Sequence, residues 1–207
     1  LRAFAFLSCS SIVMLICVGG AIFSALITRE PVAAQPAASR IVYGLTLLPS
    51  GFDPHINASS ELGIPLRSVY DTLVYRDPTT KDFVAGLAER WEISPDGLLY
   101  TFYLRRDVRF HDGEPFDAYA VAANLDRITN PETSSQKAVF LLGTFERYIV
   151  TDAYTIQLAL KAPYAPLLDS LAQVYLGIAS PKALQEYSSD LYQLHQVGTG
   201  PYQMVEF

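Results

Sequence analysis

Three histidines, two cysteines and scattered carboxylates are the groups in this 207-residue chain with the chemistry to catalyse a reaction or bind a metal. His55, His111 and His195 lie 56 and 84 positions apart, and no H-E-x-x-H helix brings two imidazoles to one face, so zinc chemistry has no framework. Asp53 with His55, and His111 with Asp112, can each be drawn as an acid–base dyad. A turn-forming Asx residue beside an exposed histidine makes the same pattern with no catalysis. Cys9 and Cys17 both fall in an apolar run, which leaves no thiol elsewhere for a nucleophile or a disulfide. Gly198 and Gly200 lack the following Lys-Ser/Thr of a phosphate loop and read better as a tight strand start. No G-x-S-x-G elbow occurs. Neither an enzyme, nor a resident metal, nor a cofactor is expected.

The elements that would position these residues centre on 87–113, LAERWEISPDGLLYTFYLRRDVRFHDG. Tyr100, Phe102 and Leu104 alternate with Thr101 and Tyr103, the mark of a strand packed on one side. Val108 and Phe110 resume an apolar face after the Arg105-Arg106-Asp107 break, as a second short strand. Arg105, Arg106 and Arg109 are the densest basic group, and strand alternation gives them a solvated or ion-paired role. Trp91 has two readings, packing beneath the hairpin or stacking on a ligand.

Upstream, 40–48 reads as a strand buried on both faces, 49–55 as a turn, and Ser60 to Val74 as a helix burying Leu62, Leu66, Val69, Tyr70 and Leu73. A hairpin-like turn follows over 75–81, then a short helical piece over 83–92. Downstream, Asp117 caps a helix carrying Val121, Leu125 and Ile128, which Asn130-Pro131 stops. Residues 133–137 make a polar loop, 148–150 and 154–160 two strands, and 166–174 and 181–187 helices with proline near their starts.

Residues 3–28 carry no charge, a run long enough to enter a bilayer. It is either a secretory signal, with Val32-Ala33-Ala34 as a small-residue cleavage site, or an uncleaved anchor touching the membrane through residues 1–28. Neither cysteine follows the small-residue box that lipid attachment requires. Residues 35–39 form a linker, and the rest of the chain is expected outside the cytoplasm. Without residues 1–34 the chain holds 13 basic and 20 acidic residues, a net charge of −7, which repels nucleic acid.

The ordered set FDPH (52–55), LAERWEISPDGLLYTFYLRRDVRFHDGEPF (87–116), NPETS (130–134), DAYTIQLALKAPYAPLL (152–168), SPKAL (180–184) and VGTGPYQMVEF (197–207) resembles the family 5 extracellular solute-binding proteins, the peptide, dipeptide and nickel receptors of ABC importers. The resemblance implies an α/β, periplasmic-binding-protein-like type II fold, present in part: a discontinuous mixed-sheet domain with a small inserted α+β domain, and a third domain absent. On that pattern 40–70 is the first segment of domain I, 71–194 the inserted domain II, and 195–207 the start of the return into domain I. The implied function is a monomeric extracytoplasmic receptor that binds a peptide or similar solute and delivers it to ABC permease subunits in the membrane. The alternative is a membrane-tethered sensory or scaffold domain that keeps the fold without transport.

The loop after the FDPH-like motif touches ligand in peptide-binding members, which points here to Ala58, Ser59 and Ser60. Ser60 reads equally well as a helix cap. An aromatic near Lys137 reaches ligand in such members; a lysine there weakens a specific peptide assignment and favours an acidic group. Two departures touch the scaffold. Ala120 stands where the family carries Asp, leaving Asp117 to cap the helix, and Asp107 replaces a frequent glycine.

Overall fold

A strand hairpin with a strictly alternating pattern is the structural centre of the computed structural model, which describes residues 42, 44–46 and 51–205. Its strands β3 (Ala88–Ile93) and β4 (Leu99–Leu104) are the first two of a four-stranded antiparallel sheet ordered β3-β4-β6-β5, with β5 at Phe145–Asp152 and β6 at Thr155–Leu160. Tyr100, Phe102 and Leu104 point into the core, as the alternation requires. Register places Phe102 opposite Ile156 and Tyr100 opposite Leu158, so two buried rows meet on one face. Each such side chain contributes about 1.5–3 kcal/mol by leaving water.

Helix α2 (Ala118–Thr129) contacts β5 and β6 and buries Val121, Leu125 and Ile128. Asp117 caps it by accepting from the Ala120 amide at 2.9 Å, and Asn130 ends it. The alanine at position 120 therefore leaves the cap intact. A separate hairpin, β1 (Val74–Arg76) with β2 (Phe83–Ala85), is closed by Asp77, whose Oδ1 accepts from the amides of Thr79 and Thr80. Short helices complete the order: α1 (Gly63–Val69), α3 (Lys137–Leu141), α4 (Leu167–Leu171), α5 (Pro181–Glu186) and α6 (Ser189–Tyr192). Every strand pairing among the described residues is antiparallel. By contact the chain divides into residues 1–44 and 45–207.

Several expectations are corrected. The piece over 83–92 is not helical but forms β2 and β3: Glu89, Arg90 and Glu92 face solvent while Ala88 is buried, and pairing with β1 and β4 outweighs a local helical preference. The helix expected over Ser60–Val74 is a 3₁₀ turn, Ser60–Leu62, followed by α1, which stops at Val69 because Tyr70 is extended and Val74 joins β1. Residues 166–174 split into α4 and a 3₁₀ turn at Val174–Leu176. The second strand after the arginine break is reduced to one bridge between Arg109 and Pro115. Asp107 stays outside the left-handed region; among described non-glycine residues only Lys81 and Ser134 enter it.

Of the basic group Arg106 and Arg109 are exposed, the solvated role expected of them, and among the described residues none of the three forms an ion pair. Arg105 Nε donates to the Gly86 carbonyl at 2.7 Å, Arg109 Nη1 to Gly113 O at 2.9 Å, and Arg106 lies 4.8 Å from the Tyr154 ring centre. Trp91 is half-buried on β3 and packs against the core, the structural of its two readings. Of the strand expected over 40–48, Val42, Gly44, Leu45 and Thr46 are not in a strand, and the remainder lies outside the described residues, as do the apolar run at 3–28 and the linker at 35–39. Among the described residues no helix is long and apolar enough to cross a membrane.

Candidate functional site

The FDPH-like turn is held by a buried polar cluster that the linear sequence does not announce. Asp53 is fully buried; its Oδ1 accepts from the His55 amide at 2.9 Å, the Asx turn expected of it. Arg127, from α2, donates through Nη1 to Oδ1 at 3.0 Å and through Nη2 to Oδ2 at 2.5 Å, a two-pronged ion pair. His55 is wholly buried, not the exposed turn histidine that its neighbours in sequence suggest. Its Nε2 faces the Gly177 carbonyl at 3.0 Å and its Nδ1 faces Arg127 Nη1 at 2.9 Å. A carbonyl on one side and a guanidinium on the other fix the neutral Nε2–H tautomer. Burial, with Arg127 adding and Asp53 and the Gly177 carbonyl opposing, lowers its pKa to about 4. Tyr70 and Tyr192 share a hydroxyl contact at 2.7 Å nearby, and burial raises both phenols well above their usual range.

Neither candidate dyad survives as catalytic machinery. The Asp53 carboxylate engages Arg127 and a backbone amide rather than the His55 ring. His111 and Asp112 diverge: His111 Nε2 meets Gly200 O at 2.7 Å, whereas Asp112 Oδ2 accepts from Ser180 Oγ at 2.5 Å. His195 stands edge-on to Tyr187, ring centres 4.4 Å apart. Among the described residues no group of three or more His, Cys, Asp or Glu could hold a metal ion.

From the anchored turn the chain emerges at Ala58 and Ser60, both exposed, with Ser59 half-buried between them. The helix cap belongs to Ser59, whose Oγ accepts from the Glu61 amide at 3.4 Å; Ser60 is left without that duty. The Ser59 carbonyl accepts from the Tyr175 hydroxyl at 2.7 Å. Tyr175 is only 5% exposed, and above its ring lies the Lys137 ammonium, 3.8 Å from the ring centre. Residues 59 and 137, named separately in the sequence, are thus joined through Tyr175. Tyr175 carries no signal of this role in the sequence, because an aromatic within LAQVYLGI reads as core.

Tyr175 also lines an open concavity of about 560 Å³, with Ile64, Arg67, Ser68, Gln173 and Pro201 among its other walls. Beside Pro201, which lines it, the chain packs on the end of α1 by backbone contact: Gly200 N donates to Val69 O at 2.9 Å and Tyr202 N to Ser68 O at 3.0 Å. A Cβ on Gly198 would meet Val69 O at 2.1 Å, so this approach requires glycine. The concavity combines an aromatic wall and the Arg67 guanidinium, with exposed small side chains on an adjoining loop and the Lys137 ammonium over the Tyr175 ring. Those features suit binding of a small polar solute rather than bond-making.

The family model of bacterial extracellular solute-binding proteins, family 5 (middle region), matches residues 82–207. The glutathione-binding protein GsiB of Pectobacterium atrosepticum is 34% identical over 188 residues, 91% of this chain and 35% of that protein. Its namesake in Salmonella paratyphi A is 43% identical over 118 residues, 57% of this chain and 23% of that protein. The matches thus span about a quarter to a third of these relatives' length. Among solved structures, the periplasmic binding protein DppA of Helicobacter pylori, in complex with the peptide STSA, superposes with a TM-score of 0.66 and 28% identity, over 77% of this chain and 35% of the other.

Proposed function

The chain belongs to the bacterial extracellular solute-binding proteins, family 5, and from that membership we propose that it serves as the extracytoplasmic substrate-binding component of an ABC importer, taking up a small peptide or peptide-like solute and delivering it to permease subunits in the membrane. Its fold is α/β, periplasmic-binding-protein-like and of type II, and the family is one of binding proteins, not of enzymes. The observation that carries the reading is the convergence of the Ala58–Ser60 loop, Tyr175 and Lys137 beside an open concavity. Small side chains at 58–60 let an extended ligand approach the backbone, as an added strand would. In this reading Ala58, Ser59, Ser60 and Lys137 contact ligand, 40–70 and 195–207 belong to domain I, and 71–194 is the inserted domain II.

The experiment is a ligand screen on the intact exported protein by melting-temperature shift, since a ligand that binds only the folded state stabilises it by about 2.7 kcal/mol at a hundredfold excess over Kd. Glutathione, dipeptides and tripeptides are expected to raise Tm, and deleting the gene is expected to abolish uptake of the peptide that binds. If no peptide moves Tm and uptake survives the deletion, the reading is wrong.

A further inference from the structure

Lys137 and Arg67 are set apart from the other cations near the candidate site by what they lack. The Lys137 ammonium lies over the Tyr175 ring at 3.8 Å, yet among the described residues it donates no hydrogen bond and pairs with no carboxylate. Arg67 spends one N–H on the Ala172 carbonyl at 2.8 Å and likewise meets no carboxylate within ion-pair distance. Arg127, by contrast, is fully engaged with Asp53. No acidic residue lines the concavity that Arg67 and Tyr175 share. Glu61, the acid of the adjoining turn, is occupied through Oε2 by the Thr46 amide at 3.3 Å. In a chain of net charge −6, two carboxylate-free cations beside one acid-free concavity form a local inversion of sign.

The Tyr175 platform makes this arrangement selective. Its ring is buried and its hydroxyl is tied to Ser59 O at 2.7 Å, so the face beneath Lys137 is fixed. A cation resting on a fixed aromatic face keeps its donors for a partner while losing little side-chain entropy when the partner arrives. We propose that Lys137, with Arg67 as the second cation, selects for a carboxylate-bearing side chain, so that the preferred solutes are acidic small peptides. This inference rests on the peptide-receptor reading and names its substrate class. A carboxylate accepts charge-assisted hydrogen bonds from an ammonium; a carboxamide of the same shape accepts only weaker ones.

The test uses the intact protein and the dipeptides Ala-Glu and Ala-Gln, which differ in one ionisable group, with affinities measured by calorimetry. Ala-Glu is expected to bind at least about tenfold more tightly, and the ratio to shrink as salt rises, because screening weakens the charged contact alone. In Lys137→Met the ratio is expected to fall toward one, and in Lys137→Arg to be largely restored. The ratio separates selection from a merely structural role, which would alter both affinities together. Equal binding of the two dipeptides, or a ratio unchanged in Lys137→Met and by salt, overturns the acidic preference while leaving the peptide-receptor reading intact. Absence of binding by either dipeptide, and by every peptide in the wider screen, overturns both.

Discussion

Arg127 on α2 grips the Asp53 carboxylate at both oxygens, 3.0 and 2.5 Å away, across 74 residues of sequence. With side chains 13% and 0% exposed, this pair is the deepest ion pair among the described residues. It fastens the turn that leads to Ala58–Ser60 onto the helix covering the sheet. Breaking it from one side leaves a buried charge without its partner, at a cost of about 3–5 kcal/mol. Asp53→Asn and Arg127→Met are each expected to lower stability by that order in denaturant titrations. Combining them should cost less than the sum, because the second change removes the charge the first one stranded.

His55 makes stability depend on pH in a defined window. Its folded pKa of about 4 lies below the unfolded value of 6.5, so the unfolded chain takes up a proton first as pH falls. Stability is therefore undiminished by this group above about pH 6.5, declines as pH drops, and loses about 3 kcal/mol from it by pH 4. Two-dimensional NMR of the imidazole is expected to show no titration above pH 5. His55→Gln, which keeps a donor for Gly177 O, should flatten that part of the stability profile.

Tyr175 joins the loop to the lysine, and its hydroxyl is separable from its ring. Tyr175→Phe removes the bond to Ser59 O and is expected to cost about 0.5–1.5 kcal/mol of stability. Ligand affinity should fall with it, since the 58–60 loop loses its fixed partner. Ala58→Trp at an exposed position should leave Tm within a degree or two and weaken ligand binding at least about tenfold by obstructing the approach. Unchanged affinity in both variants would remove this loop from the ligand site.

Gly198 permits a close backbone approach to the end of α1. A Cβ there would lie 2.1 Å from Val69 O, a backbone atom that no side-chain rotation can clear. Gly198→Ala is expected to destabilise by about 1–3 kcal/mol in thermal or denaturant unfolding. Gly113→Ala provides the contrast: its Cβ meets nothing within 4 Å, so any loss there comes from its φ of 86°.

The chain by itself determined what depends on neighbours in sequence. Alternation from Tyr100 to Leu104 set a one-sided strand, Asp117 set a helix start, Asn130-Pro131 its end, and the ordered motifs set the family. The three-dimensional structure decided what depends on partners far apart. Residues 83–92 have helical spacing yet pair as strands, because hydrogen bonds to β1 and β4 satisfy the backbone more completely than one isolated helical turn would. His55 looked like a turn histidine and is buried, since the groups that satisfy it, Arg127 and Gly177, lie 72 and 122 residues away. Lys137 and Ser59 stood in the sequence as separate candidates; only packing of the 3₁₀ turn at Val174–Leu176 places Tyr175 between them. Local patterns are written in periodicity and caps, whereas a binding surface is assembled from side chains whose separation along the chain carries no signal of their proximity in space.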